Sequence, residues 1–176
     1  MILRSIFVLM MALSLSGCAS LSKEQCLAGN WNEIGYRDGR QGYKLESLDA
    51  HAKSCAEHGV RPNREQYTQG YNKGIRVYCS ASNGRHVGEA GRYYHYVCPA
   101  DLEPEFLLHY RYGKELHDVK AKINTAQSEL TKKEDQLRVE KNASVRDALR
   151  SEISARDDLI RTLQRTYNHL IDHAPR

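Results

Sequence analysis

Apolar residues in the second half of the chain recur at alternating spacings of three and four, with charged residues of both signs between them. One series runs through Leu116, Val119, Ile123, Ala126, Leu130 and Leu137, with Lys133 interrupting it. A second series runs through Val145, Leu149, Ile153, Arg156, Ile160, Leu163, Tyr167 and Leu170. This spacing is typical of a coiled-coil seam. The polar break Asn142-Ala143-Ser144 separates the series, so the pattern predicts an antiparallel helical hairpin over residues 114–176, with Ser144-x-x-Asp147 marking the start of its second helix.

A turn at Lys141-Asn142 makes the two seams meet along their length. The register pairs Leu137 with Val145, Lys133 with Leu149, Leu130 with Ile153, Ile123 with Ile160, Val119 with Leu163 and Leu116 with Tyr167. The long Arg156 then faces the small Ala126, where its stem can be accommodated. Each arm would extend roughly 45 to 55 Å. The same heptads also support a coiled coil between two chains, which stays open as the alternative.

Glycine and tyrosine set the pattern of the first half. Gly35, Gly39 and Gly42 would form one bare stripe on a helix, and their spacing recurs at Gly84, Gly88 and Gly91. A second repeat relates residues 35–39 to 70–74. The spacing Tyr67-x2-Gly70, which leads into its second copy, recurs at Tyr110-x2-Gly113. Glycine inside a helix costs about 1 kcal/mol relative to alanine, so the stripe predicts close approach of another backbone or of a tyrosine ring.

The same half contains the signals of short helices. We predict helices over residues 31–43, 47–58 and 64–78, with Gly59 just past the end of the second and Pro62-Asn63 before the third. Between Ser80 and Pro104 the pattern is less regular. Asn83-Gly84 predicts a turn, and residues 92–97 predict a short strand or an extended loop.

The N-terminus has the pattern of a signal peptide. Arg4 precedes an apolar run from Ile6 to Leu15 that is too short to span a bilayer. The run ends in Leu15-Ser16-Gly17-Cys18, which resembles the bacterial lipoprotein site. That resemblance implies removal of residues 1–17, acylation of Cys18 with fatty acids such as palmitate, and a short linker over residues 18–25. Ala19-Ser20 follows the cysteine instead of Asp, so we expect a lipid anchor in the outer membrane, with the protein facing the periplasm.

Four further cysteines, Cys26, Cys55, Cys79 and Cys98, remain in an oxidising compartment. An even number there favours two disulfides over free thiols. Four cysteines allow three pairings. We expect Cys26 with Cys55 and Cys79 with Cys98, because sequence-local bridges would join the segment around Trp31 to the Cys55 helix and close the glycine-containing loop onto Tyr78.

Charge and residue chemistry limit the classes of function that this sequence can have. The net charge of +4 is weak and evenly mixed, so nucleic acid is not expected as a partner. His51, Cys55 and His58 have a helical spacing that could hold a metal, as could His169 and His173, but a structural zinc site needs four ligands, and Cys55 is better explained by a disulfide. Asp38, Glu33 and Glu46 form no acid/base pair in the sequence and are interpreted as caps or surface charges. We therefore predict no enzyme activity and no cofactor.

A many-point resemblance covers about residues 26–113. It consists of Trp31-x3-Gly35-Tyr36-x-Asp38-Gly39-x2-Gly42, Cys55, Tyr67-x2-Gly70-x3-Gly74-x3-Tyr78-Cys79, Cys98-Pro99 and Phe106-x3-Tyr110-x2-Gly113. This order resembles the lipoprotein family catalogued as domain of unknown function 2799. The resemblance implies a secreted, mostly helical, anchored module and brings no assigned catalytic or ligand residues.

The predicted fold is therefore mostly α-helical, with a disulfide-linked Cys/Gly/Tyr-rich domain over residues 26–113 and the hairpin after it. We expect a structural or protein-interaction module whose hairpin meets another envelope protein. The alternative is a binder of a small ligand, glycan or metal through the tyrosine-rich domain. Its candidate surface consists of Trp31, Tyr36, Arg37, Tyr71 and Arg76, since arginines among tyrosines suit acidic glycans or anionic lipid headgroups.

Overall fold

The computed structural model describes residues 21–175, and the predicted signal peptide and Cys18 lie outside the described residues. Within this range the chain forms seven helices and no strand, and 76% of it is helical. The helices are α1 (Lys23–Ala28), α2 (Trp31–Gln41), α3 (Ser47–Ala56), α4 (Arg64–Tyr78), α5 (Ala81–Glu89), α6 (Glu103–Val139) and α7 (Ala143–Asp172). The mostly α-helical fold class is confirmed. Every helix in residues 21–175 is too short or too polar to cross a membrane.

Side-chain caps fix where several helices begin. Ser22 and Gln25 form a reciprocal capping box on α1. Asn63 and Ser80 accept hydrogen bonds from the first turns of α4 and α5. The cap at Ser80 corrects the prediction of a turn at Asn83-Gly84, because both residues lie inside α5. Residues 92–97 form a loop, so of the two alternatives for this segment the extended loop is the observed one.

The helices associate as three pairs in chain order. Helix α2 packs against α4, α5 packs against α6, and α6 packs against α7. The buried core combines aliphatic residues with the rings of Trp31, Tyr67, Tyr78, Tyr94 and Phe106. Buried tyrosine hydroxyls find acceptors, as such a core requires: Tyr71 donates to the carbonyl of Tyr43 at 2.8 Å and Tyr94 to Glu103 at 2.9 Å.

Both predicted disulfides are present. Cys26 is bonded to Cys55, which joins α1 to α3. Cys79 is bonded to Cys98, which joins the end of α4 to the loop before α6. The bridges therefore tie α1 and the loop before α6 to the rest of the domain.

The antiparallel hairpin is also observed. Helix α6 ends at Val139, and α7 starts at Ala143 after a three-residue turn. The predicted seam residues are buried or half-buried, except Val145, which is 43% exposed. The ion pairs Lys133–Glu152 at 2.7 Å and Arg156–Glu129 at 3.1 Å join the two arms across the seam.

The cap of α7 differs from the prediction. Asn142 accepts the backbone N–H of Val145, so the N-cap lies two residues before the predicted cap at Ser144, and the helix starts at Ala143. Arg146 donates to the carbonyl oxygens of Leu137 and Glu140 at 3.0 and 2.8 Å, which satisfies the end of α6. The turn is thus fixed from both sides.

Helix α6 continues without a break through residue 113, where the predicted domain ends and the predicted hairpin begins. Its first turns pack against α5 and the aromatic core, and its later turns form one arm of the hairpin. One helix therefore belongs to both parts of the molecule.

Candidate functional site

Reciprocal glycines bring the backbones of α2 and α4 into direct contact. A methyl group on Gly35 would overlap the carbonyl oxygen of Tyr67, and one on Gly70 would overlap the carbonyl oxygen of Asn32. Gly39 and Gly74 make the equivalent contacts one turn further along. The predicted close approach is confirmed: neither helix leaves room for a Cβ at these positions.

The α5–α6 pair repeats this geometry. Gly84 and Gly88 lie against the carbonyls of Phe106 and Tyr110, and Gly113 lies against the carbonyl of Arg85. The third glycine of each stripe faces a ring, Gly42 against Tyr78 and Gly91 against His117. The two helix pairs are thus built on the same contact pattern.

This correspondence corrects the register of the tyrosine repeat. Tyr71 follows Tyr67 against the first stripe as Tyr110 follows Phe106 against the second. Tyr110-x2-Gly113 therefore matches Tyr71-x2-Gly74, one helical turn later than the Tyr67-x2-Gly70 echo in the sequence. The two registers look alike in the sequence because tyrosine and glycine recur at both turns of α4.

A buried polar network occupies the first pair alone. The Oδ2 atom of Asp38 lies 2.6 Å from Nε2 of His51 and accepts the hydroxyl of Tyr67 at 2.8 Å. Asp38 and His51 are each 1% exposed. In the second pair, the positions that match Asp38 and Tyr67 are Val87 and Phe106, both buried and apolar. The network is therefore not needed to pack a pair of this kind.

The environment of Tyr67 stabilises its neutral form. Burial, and then the hydrogen bond to the Asp38 carboxylate, raise the pKa of Tyr67 well above its ordinary value of 10.0. Burial also raises the pKa of Tyr71 to about 12, and the charge of Glu46 adds to this shift. Both phenols therefore remain protonated hydrogen-bond donors at neutral pH.

His51 contributes one further unusual feature. Its Nδ1 atom is buried and has no hydrogen-bond partner among the described residues.

The interpretation of Asp38 as a cap or surface charge is wrong, because its carboxylate lies inside the fold between α2, α3 and α4. When the two glycine stripes are aligned in the sequence, Asp38 occupies the position equivalent to the buried Val87.

The metal-ligand candidates do not assemble into a site. Cys55 is bonded to Cys26, and His51 faces Asp38. His169 and His173 stack with ring centroids 4.1 Å apart at the end of α7. Among residues 21–175, no group of three His, Cys, Asp or Glu side chains could hold a metal ion.

The five residues of the predicted ligand surface lie in different surroundings. Trp31 and Tyr71 are buried in the core at 4% and 6% exposure. Arg76 is paired with Asp101 at 3.0 Å. Only Tyr36 and Arg37 lie together, in a cleft of about 360 Å³ between α1 and α2 that Arg40 also lines. The α1–α2 cleft is thus the part of the predicted surface that the fold assembles.

A second surface was not predicted as a site. Tyr93 and Tyr96, in the loop over residues 92–97, are 68% and 69% exposed. Tyr96 lines a cleft of about 650 Å³ together with Lys44 and Glu46, and Tyr93 lines a neighbouring cleft. Tyr94, between them, is buried and anchors the loop through Glu103. Tyr96 has φ 55°, the only positive φ of a non-glycine residue among those described. Such backbone conformations are unfavourable and cluster at functional sites.

Residues 30–115 match the family described as protein of unknown function (DUF2799). No curated protein and no solved structure gives a significant match to the chain. The match spans both glycine-packed helix pairs and ends two residues after Gly113, so the hairpin arm beyond it lies outside the matched segment.

Proposed function

Residues 30–115 of this chain are a domain of the DUF2799 family of proteins of unknown function, and from that premise we propose that the protein is an outer-membrane lipoprotein that presents its hairpin to another envelope protein. The domain serves as a base close to the membrane. The hairpin serves as an arm that reaches into the periplasm.

The observation that carries this proposal is the continuity of α6. Phe106 is fully buried in the aromatic core, and the same helix runs to Val139 at the tip of the hairpin. From Gly113 to Val139 it extends roughly 40 Å. An arm joined to its base by an unbroken helix cannot swing as a flexible linker would, so it supports a contact at a fixed distance from the membrane.

The tip of the arm offers an apolar surface for that contact. Val139 is 73% exposed and Val145 is 43% exposed, on either side of the capped turn. Leu159 and Ile171 add exposed apolar surface along α7, at 40% and 42%. Aliphatic residues exposed at an ordered turn are suited to binding a protein partner, because little conformational entropy is lost when the turn binds.

The anchor rests on the Leu15-Ser16-Gly17-Cys18 pattern. Replacing Cys18 with Ser should leave an unlipidated precursor that keeps its signal peptide. Normal processing and normal membrane fractionation of the Cys18→Ser protein would contradict the anchor.

Site-specific photocrosslinking in cells tests the partner. A photoreactive amino acid at Val139 should give an adduct with one defined envelope protein. Ser128 is the matched control, because it is exposed on the same arm and lies on the face opposite the seam residues Ala126 and Leu130. Equal adducts at Val139 and Ser128, or no protein adduct at Val139, Val145 or Leu159, would rule out the hairpin as the contact surface.

The loop over residues 92–97 favours a second function, glycan binding. Exposed tyrosine rings on a loop fixed by Tyr94 and the Cys79–Cys98 bridge form a rigid aromatic surface that can contact the apolar face of a sugar. Lys44 and Glu46, in the cleft that Tyr96 lines, can hydrogen-bond to its hydroxyls. Binding of purified cell-wall glycan that is lost in Tyr93→Ala and Tyr96→Ala, and kept in Tyr36→Ala, would support this function; equal binding by all three variants would contradict it.

A further inference from the structure

The folded domain starts almost immediately after the proposed lipid site. Leu21 is 7% exposed and belongs to the hydrophobic core, yet it is only three residues from Cys18. Three residues span at most about 11 Å when fully extended. If Cys18 carries the lipid, as the proposed function requires, the surface around the start of α1 must lie at the depth of the lipid headgroups.

Helix α1 is fixed to the rest of the domain, so this nearness extends to its neighbours. Cys26 is fully buried and bonded to Cys55 of α3. The Ser22–Gln25 capping box holds the first turn of α1. The α1–α2 cleft is therefore held in a fixed position relative to Leu21, the residue nearest to the anchor in the described part of the chain.

The α1–α2 cleft carries two arginines that differ in their partners. Arg40 forms no ion pair with any residue in the described part of the chain. Arg37 forms a long ion pair, at 3.7 Å, with Oδ1 of Asp38, and the Oδ2 atom of that carboxylate contacts His51 and Tyr67. The Arg37 side chain remains 42% exposed. Glu33 is the acidic residue of the cleft, and it leaves the lining with one net positive charge.

The remaining lining suits a lipid headgroup. Tyr36 is 37% exposed and combines an apolar ring with a polar hydroxyl, the kind of side chain that is enriched at membrane interfaces. Gln25 and Asn30 add hydrogen-bond donors, while Ala28 and Ile34 add apolar surface. Guanidinium groups bind phosphate with paired, charge-assisted hydrogen bonds.

We propose that the α1–α2 cleft faces the membrane that holds the anchor, and that Arg37 and Arg40 bind the phosphate of an anionic lipid headgroup. This inference rests on the proposed lipid anchor at Cys18. It gives the domain a defined orientation on the bilayer, which in turn fixes the direction in which the hairpin points.

Photocrosslinking to lipid tests the orientation. The full lipidated chain, carrying benzoylphenylalanine in place of Tyr36, is reconstituted in vesicles of phosphatidylcholine with phosphatidylglycerol. Tyr93 is the matched control, because it is a more exposed tyrosine on the loop beyond the far end of α2. Lipid adducts should form several times more at position 36 than at position 93, and equal yields would overturn the inference.

Changing the charge of the cleft, or the lipid composition of the vesicles, tests the phosphate contact. Replacing Arg40 with Gln should lower the adduct yield at position 36 about five-fold, the effect expected of one basic side chain at an anionic surface. Replacing phosphatidylglycerol with phosphatidylcholine should lower it further, because both arginines then lose the anionic headgroup. Arg76→Gln is the control, because it removes an exposed arginine outside the cleft. An unchanged yield with Arg40→Gln would overturn the arginine contact.

The two proposals can fail separately. Mass spectrometry of the N-terminal peptide and flotation with vesicles report on the anchor itself. A chain that is not acylated and does not float contradicts both the anchor and the orientation. A chain that is acylated and floats, but crosslinks equally from positions 36 and 93, contradicts only the orientation.

Discussion

The α2–α4 and α5–α6 pairs share their backbone contacts and differ in the side chains beside them. Each pair places glycines against the carbonyls of its partner helix and a third glycine against a ring. The first pair then buries Asp38 and Tyr67 where the second buries Val87 and Phe106. The second pair is therefore packed without a buried polar network, and the Asp38–His51–Tyr67 network is an addition to the glycine contacts of the first pair.

The network differs from the glycine contacts because its stability depends on hydrogen-bond partners from other helices. A buried carboxylate is tolerable only while its hydrogen-bond partners are present. His51 and Tyr67 are those partners, and they come from α3 and α4. The network therefore fixes α3 against the first pair, a helix for which the second pair has no counterpart.

The largest effect is expected from removing a partner of Asp38. His51→Leu should lower the free energy of unfolding by about 3 to 5 kcal/mol, because it leaves a buried charge with one partner fewer. His109→Leu is the matched control, since His109 is also buried and lies outside the Asp38 network. Denaturant unfolding measures both variants, and similar losses would show that the Asp38 contact is not special.

The glycine contacts should matter equally in the two pairs. Gly74→Ala and Gly113→Ala each force a methyl group against a backbone carbonyl and should each cost about 1 to 3 kcal/mol. Gly59→Ala is the control. An added methyl group there contacts nothing, but alanine is strained at the positive φ of this position, so the variant should cost about 1 kcal/mol. Chemical unfolding of the three variants measures these costs. A Gly113→Ala variant with an unchanged free energy of unfolding would contradict the equivalence of the two pairs.

Alkaline pH should act through the buried phenols. The pKa of Tyr71 is raised to about 12, so the folded state holds this proton more tightly than the unfolded state does. Stability is then complete below pH 10 and falls as the pH rises toward 12, by about 1 to 2 kcal/mol from Tyr71. Unfolding followed at several pH values, with tyrosinate absorbance, measures this loss. Tyr71→Phe should reduce the loss by the share of Tyr71 and leave the shares of the other buried phenols, whose pKa values are also raised; a loss unchanged in Tyr71→Phe would contradict the assignment.

The smallest effect is expected at the charged seam positions of the hairpin. Lys133 pairs with Glu152, and both side chains are partly exposed, so a double-mutant cycle to alanine should give a coupling of about 0.2 to 1 kcal/mol. This contrasts with the buried charge at Asp38. A coupling of several kcal/mol would show that the hairpin is more dependent on ion pairs than its exposure indicates.

Much of this architecture could be predicted from the sequence because its signals are periodic. The 3-4 spacing identified both hairpin arms, and the glycine stripes predicted close backbone approach. The disulfide pairing followed from sequence-local cysteines. These features depend on residue type and spacing alone.

The features that were missed depend on tertiary context. Asn83-Gly84 is a turn signal locally, but Ser80 caps a helix there and Gly84 is needed against Phe106. Asp38 lies among polar neighbours, so its burial is visible only when the two stripes are aligned. The aromatic surface of residues 92–97 includes Tyr96 at a positive φ, for which the sequence contains no signal.

Making the first pair resemble the second tests whether glycine contact holds both pairs. The triple variant Asp38→Val, His51→Leu and Tyr67→Phe replaces the network with apolar groups of similar size, and it also removes the unpartnered Nδ1 atom of His51. If glycine contact holds both pairs, denaturant unfolding of the triple variant should give a free energy within about 1 kcal/mol of the natural protein, or above it. A triple variant as unstable as His51→Leu alone would contradict the claim.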